Sequence, residues 1–226
     1  MRFLADGADI PDELIQNALT GDTTFLCGAG VSLRAGMPTF KGLTKYIYER
    51  LGETYTSEAP ERDAFAADEY DRALRSLEKR THRPGNPLSR VREAAAARLA
   101  APEGVSLNDH RALLELSKDA AGRSRLLTTN FDTLFERAIR HSGSPSHSGK
   151  ALPKPGGPGD YGVLHLHGRI ADPALNLDGT DLILTSADFG DAYLRDGWAS
   201  RSITQRTGSS KTIFLLRRST IFSISC

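Results

Sequence analysis

Five short apolar runs constrain this chain more than any other feature: 23–27 (TTFLC), 124–129 (SRLLTT), 162–166 (GVLHL), 181–185 (DLILT) and 211–216 (KTIFLL). Each is rich in strand formers and too short for a helix, so each reads as a buried strand. Helical patterns separate them, at 9–20, 43–51, 61–80, 88–100, 109–121, 132–140 and from Ser186 to about 196. Asp9 and Pro11 suit the start of the first of these, Gly21 its end, and Ser186 the cap of the last. Strands alternating with helices predict an α/β fold, a Rossmann-like parallel sheet flanked by helices. The block at about 52–120 contains almost no strand signal and reads as a helical insertion. Its Arg/Ala stretch at 72–100 is expected to be a solvated face or an oligomer contact. Residues 142–160, rich in Gly, Pro and Ser, read as a loop.

A chain of 226 residues allows one large domain or two small ones, and 39% hydrophobic residues suffice for a core. Residues 1–206 are taken as one domain. Lys plus Arg is 29 against 28 for Asp plus Glu, so no global charge draws the chain to nucleic acid or an anionic membrane. No run of about 18 apolar residues is present, and Asp6 and Asp9 interrupt any signal-peptide core. Two cysteines, Cys27 and Cys226, make neither a disulfide framework nor a four-cysteine zinc site. Cys27 reads as a buried strand residue and Trp198 as a core or interface anchor. The expectation is a cytoplasmic protein without zinc. From Arg201 to Cys226 there are five basic residues and no acidic one. That shift marks 207–226 as an atypical tail, expected to be a truncated or frameshifted end of the same domain.

Three segments carry candidate chemistry. The first, Gly28-Ala29-Gly30-Val31-Ser32, follows the first strand, where glycines let a backbone approach a pyrophosphate. Leu33 stands where a dinucleotide fingerprint has its third glycine, so a tight turn without ligand is an equal reading. The second, Thr129-Asn130-Phe131-Asp132, lies at the end of the second strand, where open parallel sheets bind ligands. Asn130 or Asp132 also suits the cap of the next helix. The third holds His165 and His167, which share one face of a strand ended by Gly168. A pair of histidines without a third ligand is a poor metal site. His165 reads as a hydrogen-bonded core histidine and His167 as a general base.

Together the three segments resemble the sirtuin family, in GAGVS…AGMPTFKGL at 28–43, TTNFD at 128–132 and LHG at 166–168. The resemblance covers about 15–200. It implies that Gly28, Ala29, Gly30 and Ser32 bind the phosphates and adjoining ribose of NAD, and that Phe40 lies over the nicotinamide end. It implies that Asn130 holds the nicotinamide ribose or the attacking water, that Asp132 contacts the carboxamide and that His167 is the base. Protein-deacetylating sirtuins carry Asp-Phe-Arg where this chain has Thr39-Phe40-Lys41, Asn-Ile-Asp where it has Asn130-Phe131-Asp132, and a cysteine ribbon that it lacks. These departures, and the run LILTSADFGDAYLRDGW at 182–198, resemble the bacterial anti-phage defence branch. That branch implies NAD as substrate, hydrolysed to nicotinamide and ADP-ribose, with a homo-oligomer or a defence partner protein. The alternatives are an NAD-dependent protein deacylase and a non-catalytic nucleotide-binding module of a larger assembly.

Overall fold

A computed structural model describes residues 12–20, 23–83, 89–139, 143–209, 212–217 and 220–225. Asp9, Pro11, Gly21, Lys211 and Cys226 lie outside the described residues. In chain order the elements begin with α1 (Asp12–Leu19), β1 (Thr23–Cys27), α2 (Phe40–Leu51), α3 (Ala59–Ala66), α4 (Tyr70–Thr81), α5 (Arg90–Leu99) and α6 (Asn108–Leu116). They continue with β2 (Arg125–Thr128), α7 (Leu134–Ala138), β3 (Ser146–Ser148), β4 (Gly162–His165), α8 (Ser186–Phe189), α9 (Trp198–Ser209), β5 (Thr212–Arg217) and β6 (Thr220–Ser225).

The strands form one sheet in the order β3-β4-β2-β1-β5-β6. Every neighbouring pair is parallel except β5 with β6. This is the Rossmann-like α/β architecture that the alternation predicts. Thr23, Thr24, Phe25 and Cys27 of β1 are all buried, as a central strand covered on both faces requires. The chain leaves β1 for β2 on one side and later returns through β5 on the other. The crevice beyond the C-terminal end of β1 is therefore a topological switch point, the place where such sheets bind ligands. The register sets Cys27 beside Thr128 and Thr128 beside His165, so the three strands end flush. Thr129 N–H donates to the Cys27 carbonyl (3.0 Å) and Leu166 N–H to the Thr128 carbonyl (2.8 Å), which carries the alignment one residue further.

Two layers cover the sheet. On one face Cys27, Leu126 and Val163 pack on Leu114 of α6 and Phe135 of α7. On the other, Leu127, Leu164 and Leu166 meet Leu152 and Ile203. The helical block has its own core, in which Leu43 and Ile47 of α2, Leu74 and Leu77 of α4, and Val91, Ala95 and Leu99 of α5 are buried with Leu184. Each large aliphatic side chain buried there contributes about 1.5–3 kcal/mol.

The structure corrects several expectations. The stretch 72–100 is not simply a solvated face: its Leu and Ala residues build that core, and Arg92 holds Asp188 through paired bonds of 2.8 and 2.7 Å. The pattern at 61–80 divides into α3 and α4 at Asp68, whose φ of 57° is left-handed; Asp tolerates that conformation better than most residues. Residues 181–185 form no strand. The edge of β4 away from β2 is occupied by β3, so the segment crosses the sheet end with Ile183 N–H on the His167 carbonyl (2.9 Å). Thr185, not Ser186, caps α8, and it exchanges bonds with Asp188 in a capping box. Three elements had no sequence signal: β3 within the Gly/Pro/Ser-rich loop, α9, and β6 in the tail.

Candidate functional site

The turn after β1 starts the site. Val31 N–H donates to the Gly28 carbonyl (3.1 Å) and Ser32 N–H to that of Ala29 (3.2 Å). Among the described residues the amides of Ala29 and Gly30 have no such backbone partner. No α-helix follows the turn directly: a 3₁₀ turn, Leu33–Ala35, comes next, and α2 begins at Phe40. Thr39 caps α2 by accepting from Gly42 N–H at 3.1 Å. The cap places Phe40 at the mouth of the sheet.

The segment after β2 is held at Asn130 and Asp132, both buried. Asn130 N–H donates to Thr128 Oγ1 (3.0 Å), and Asn130 Nδ2 donates to Ser32 Oγ (3.0 Å). Ser32 is wholly buried, so its hydroxyl serves Asn130, His110 and Asp132 rather than the open side of the turn. Asp132 takes the local capping role, accepting from Leu134 N–H at 3.1 Å. Burial raises the Asp132 carboxyl pKa, against the lowering effect of bonds from Leu134 and Ser32. Asn130 is 4% exposed, and its Oδ1 has no hydrogen-bond partner among the described residues.

His165 ends β4 inside the protein. Its Nδ1–H donates to the Asn130 carbonyl (2.8 Å) and its Nε2–H to Glu136 Oε1 (2.7 Å). Burial alone would lower the His165 pKa, but the Glu136 charge and both bonds raise it above its ordinary value. Glu136 is held low by the same partner despite its own burial. The result is a buried imidazolium–carboxylate pair that fixes the Asn130 backbone.

His167, two residues on, is different. Its ring packs against Phe131, Phe189 and Tyr193, with centroids at 6.4, 5.2 and 5.8 Å. Its Nε2 lies 2.6 Å from the Tyr193 hydroxyl. Burial without a compensating charge lowers its pKa to about 4, so the ring is neutral at pH 7. Gly168 makes the chain's exit possible. Its φ is 86°, and a Cβ there would sit 2.1 Å from the Asp181 carbonyl oxygen.

Ala29, Phe40, Asn130, Phe131, Asp132, His167 and Phe189 line one cavity of about 220 Å³. Gly28, Gly30 and Ser32 do not line it; the glycines form the adjoining turn and Ser32 lies beneath. A more open groove of about 600 Å³ lies elsewhere, along α4 and α5. Its charges are mutually engaged, as in Arg75–Glu78 and Arg92–Glu78. Cys27 is fully buried and its thiol pKa is raised by burial, which makes it inert. Trp198 packs in a small cluster with Ile183, Ala192 and Ala199.

Residues 124–216, from the lead-in to β2 into β5, match the family model of the SIR2-like domain. That stretch is similar to a SIR2-like domain. The family is the bacterial sirtuin-like branch, and SIR2-like domains use NAD. The match includes Asn130, Asp132 and His167, whereas the Gly28 turn and Phe40 precede it. An uncharacterized protein of Sinorhizobium fredii, y4cA, is 44% identical over 207 residues, 89% of this chain and 17% of its own length. The chain thus spans 17% of that relative.

Sequence reasoning missed Tyr193, Phe189 and His110, which belong to this arrangement. Tyr193 sits in a π-helical turn, Gly190–Arg195, and stacks on Phe189 at 6.0 Å. The four-residue spacing of these aromatics was a usable signal, since i,i+4 side chains meet on a helix. Single π-turns are frequent at functional sites. His110 comes from α6, where nothing in the local pattern distinguishes it. Among the described residues no group of three His, Cys, Asp or Glu could hold a metal, and no helix is long and apolar enough to cross a membrane.

Proposed function

We propose that this chain is an NAD glycohydrolase domain that cleaves NAD to nicotinamide and ADP-ribose, acting in anti-phage defence by NAD depletion. One observation carries the reading: a single apolar cavity is lined by Asn130, whose buried Oδ1 has no partner among the described residues, and by a neutral His167. At about 220 Å³ the cavity is smaller than the 300–1,000 Å³ of typical whole-ligand sites. It suits the nicotinamide end of NAD between Phe40, Phe131 and Phe189, with the phosphates over the amides of Ala29 and Gly30.

Nicotinamide leaves as a neutral molecule when its bond to the ribose breaks, taking the bonding electrons, so no acid is needed. The protein's tasks are orientation, stabilisation of an oxocarbenium-like carbon and delivery of water. Asn130 Oδ1 accepts a hydrogen bond from water or a ribose hydroxyl. His167 takes the proton released as water adds, a contribution of about 10²–10⁴ in rate. Tyr193 holds the His167 ring in place. The defence role rests on the sequence resemblance. In this reading residues 1–206 are the NAD domain.

The test is nicotinamide release from NAD by purified protein, with products identified by mass spectrometry. Free ADP-ribose without any peptide is expected. O-acetyl-ADP-ribose formed only with an acetyl-lysine peptide would replace the reading with deacylation. NAD binding without turnover would leave a nucleotide-binding module.

A further inference from the structure

We propose that His110, acting through Ser32, is the positioning residue that turns the Asn130 amide so that its carbonyl oxygen faces the cavity, committing this site to a ligand that offers a hydroxyl there. For the ligand's identity this rests on the NAD reading; the positioning itself does not.

The argument starts from one hydroxyl. Ser32 Oγ–H has one proton to give and two lone pairs to fill. Two partners reach it at hydrogen-bond distance, Asn130 Nδ2 at 3.0 Å and His110 Nε2 at 3.1 Å, and the neighbouring Asp132 carboxyl has its charged form favoured by it. Ser32, His110, Asp132 and Asn130 are 0, 1, 3 and 4% exposed, so water does not replace any of them. One assignment satisfies the hydroxyl completely. Asp132 takes the Ser32 proton, and the Asn130 amide and His110 Nε2–H fill the two lone pairs.

The remaining atoms agree. His110 is neutral, its pKa lowered by burial despite Asp109 and Glu136. With its proton on Nε2 it leaves a bare lone pair at Nδ1, the atom that has no partner. The other tautomer would bury an unpaired N–H and draw the Ser32 proton away from Asp132, and an orphaned donor is the rarer defect. Phe135 holds the His110 ring edge-on, with centroids 4.8 Å apart at 67°, so the ring keeps its aim. A flipped Asn130 would set its carbonyl oxygen against a hydroxyl whose proton is committed to Asp132, two acceptors face to face. With the amide nitrogen fixed on Ser32, Asn130 Oδ1 is left without a donor among the described residues, on a residue that lines the cavity. A hydroxyl of a ribose, or a water held for attack, supplies it.

The experiment uses the full chain and the variants His110→Leu, His110→Gln and Ser32→Ala. The first readout is the Asn130 side-chain amide resonance in ¹⁵N-edited spectra, identified by its loss in Asn130→Asp. It is expected to be a single, exchange-protected signal in the wild type and averaged in His110→Leu and Ser32→Ala. It should be restored in His110→Gln, whose amide can donate in place of the imidazole. The second readout is kcat/KM for nicotinamide release, expected to fall about tenfold in His110→Leu, the value of one lost hydrogen bond, and to recover in His110→Gln. If His110→Leu fails to fold, Ser32→Ala carries the same two expectations. An unchanged amide signal in a folded His110→Leu or Ser32→Ala protein overturns the proposal. If no protein in the set acts on NAD, the functional reading falls while the amide signal still judges the role of His110.

Discussion

His165 ends β4 and His167 lies two residues beyond it, yet their surroundings give them opposite chemistry. His165 meets a carboxylate and a carbonyl and is charged, closed off and structural. His167 meets two phenyl rings and the Tyr193 phenol and is neutral and open to a cavity. The difference teaches that the fold uses a buried histidine–carboxylate pair to hold Asn130, and leaves the imidazole of His167, the proposed base, without a counter-charge. A base held at low pKa stays unprotonated at pH 7, and here it gains that property from apolar walls alone.

The largest effect that could break this contrast is chemical. His167→Ala is expected to lower nicotinamide release by about 10²–10⁴, the worth of a positioned base, with the thermal midpoint little changed. Asn130→Ala should also abolish turnover. Full activity in either folded variant would remove that residue from the mechanism. On the other side of the contrast, Glu136→Ala should cost about 3–5 kcal/mol in a denaturant titration, because it strands the His165 charge in the core. A stability loss below about 1 kcal/mol would show that His165 is not charged.

The pH dependence sharpens the comparison, because the two histidines work with opposite sign. The raised His165 pKa adds stability that is full below its ordinary 6.5 and is lost as pH rises through the higher folded value. The lowered Glu136 pKa adds stability that is full above its ordinary 4.5 and is lost as pH falls through the lower folded value. The lowered His167 pKa adds stability that is full above 6.5 and is lost as pH falls toward about 4. His167→Phe should therefore flatten the loss of stability between pH 6.5 and 4 in pH-dependent melts. The acid limb of nicotinamide release should lie nearer pH 4 than 6.5 in the wild type; a limb at 6.5 would mean that His167 is solvated. The smallest expected effect belongs to Tyr193→Phe, which keeps the ring packing and removes one bond to His167. A loss of up to about tenfold in kcat, without change in stability, is the expected result.

Much of this arrangement was legible in the sequence. The runs at 23–27, 124–129 and 162–166 became β1, β2 and β4, because strands buried on both faces must be continuously apolar. Strand periodicity placed His165 and His167 on one face, but β4 ends at His165, and the residue beyond the strand end is the one that lines the cavity. What escaped had physical reasons. β3 pairs through its main chain at Ser146–Ser148, so it leaves no apolar pattern. Residues 181–185 have the composition of a strand, but β3 already holds the outer edge of β4. His110 was invisible because its partner Ser32 is 78 residues away, and no local period reports a contact of that kind. Ser32 itself was expected at a phosphate, since a glycine-rich turn says nothing about which way its serine turns.

Gly168 has a consequence for how the cavity's rim can move. The main chain there touches the Asp181 backbone so closely that not even a methyl group fits between them. The Ile183 amide is clasped to His167 itself. The strap that carries Phe189 and Tyr193 is thus riveted at its root to the very residue it shields. Any swing of that strap must pivot at this rivet, so widening the entrance and freeing the imidazole are one motion rather than two.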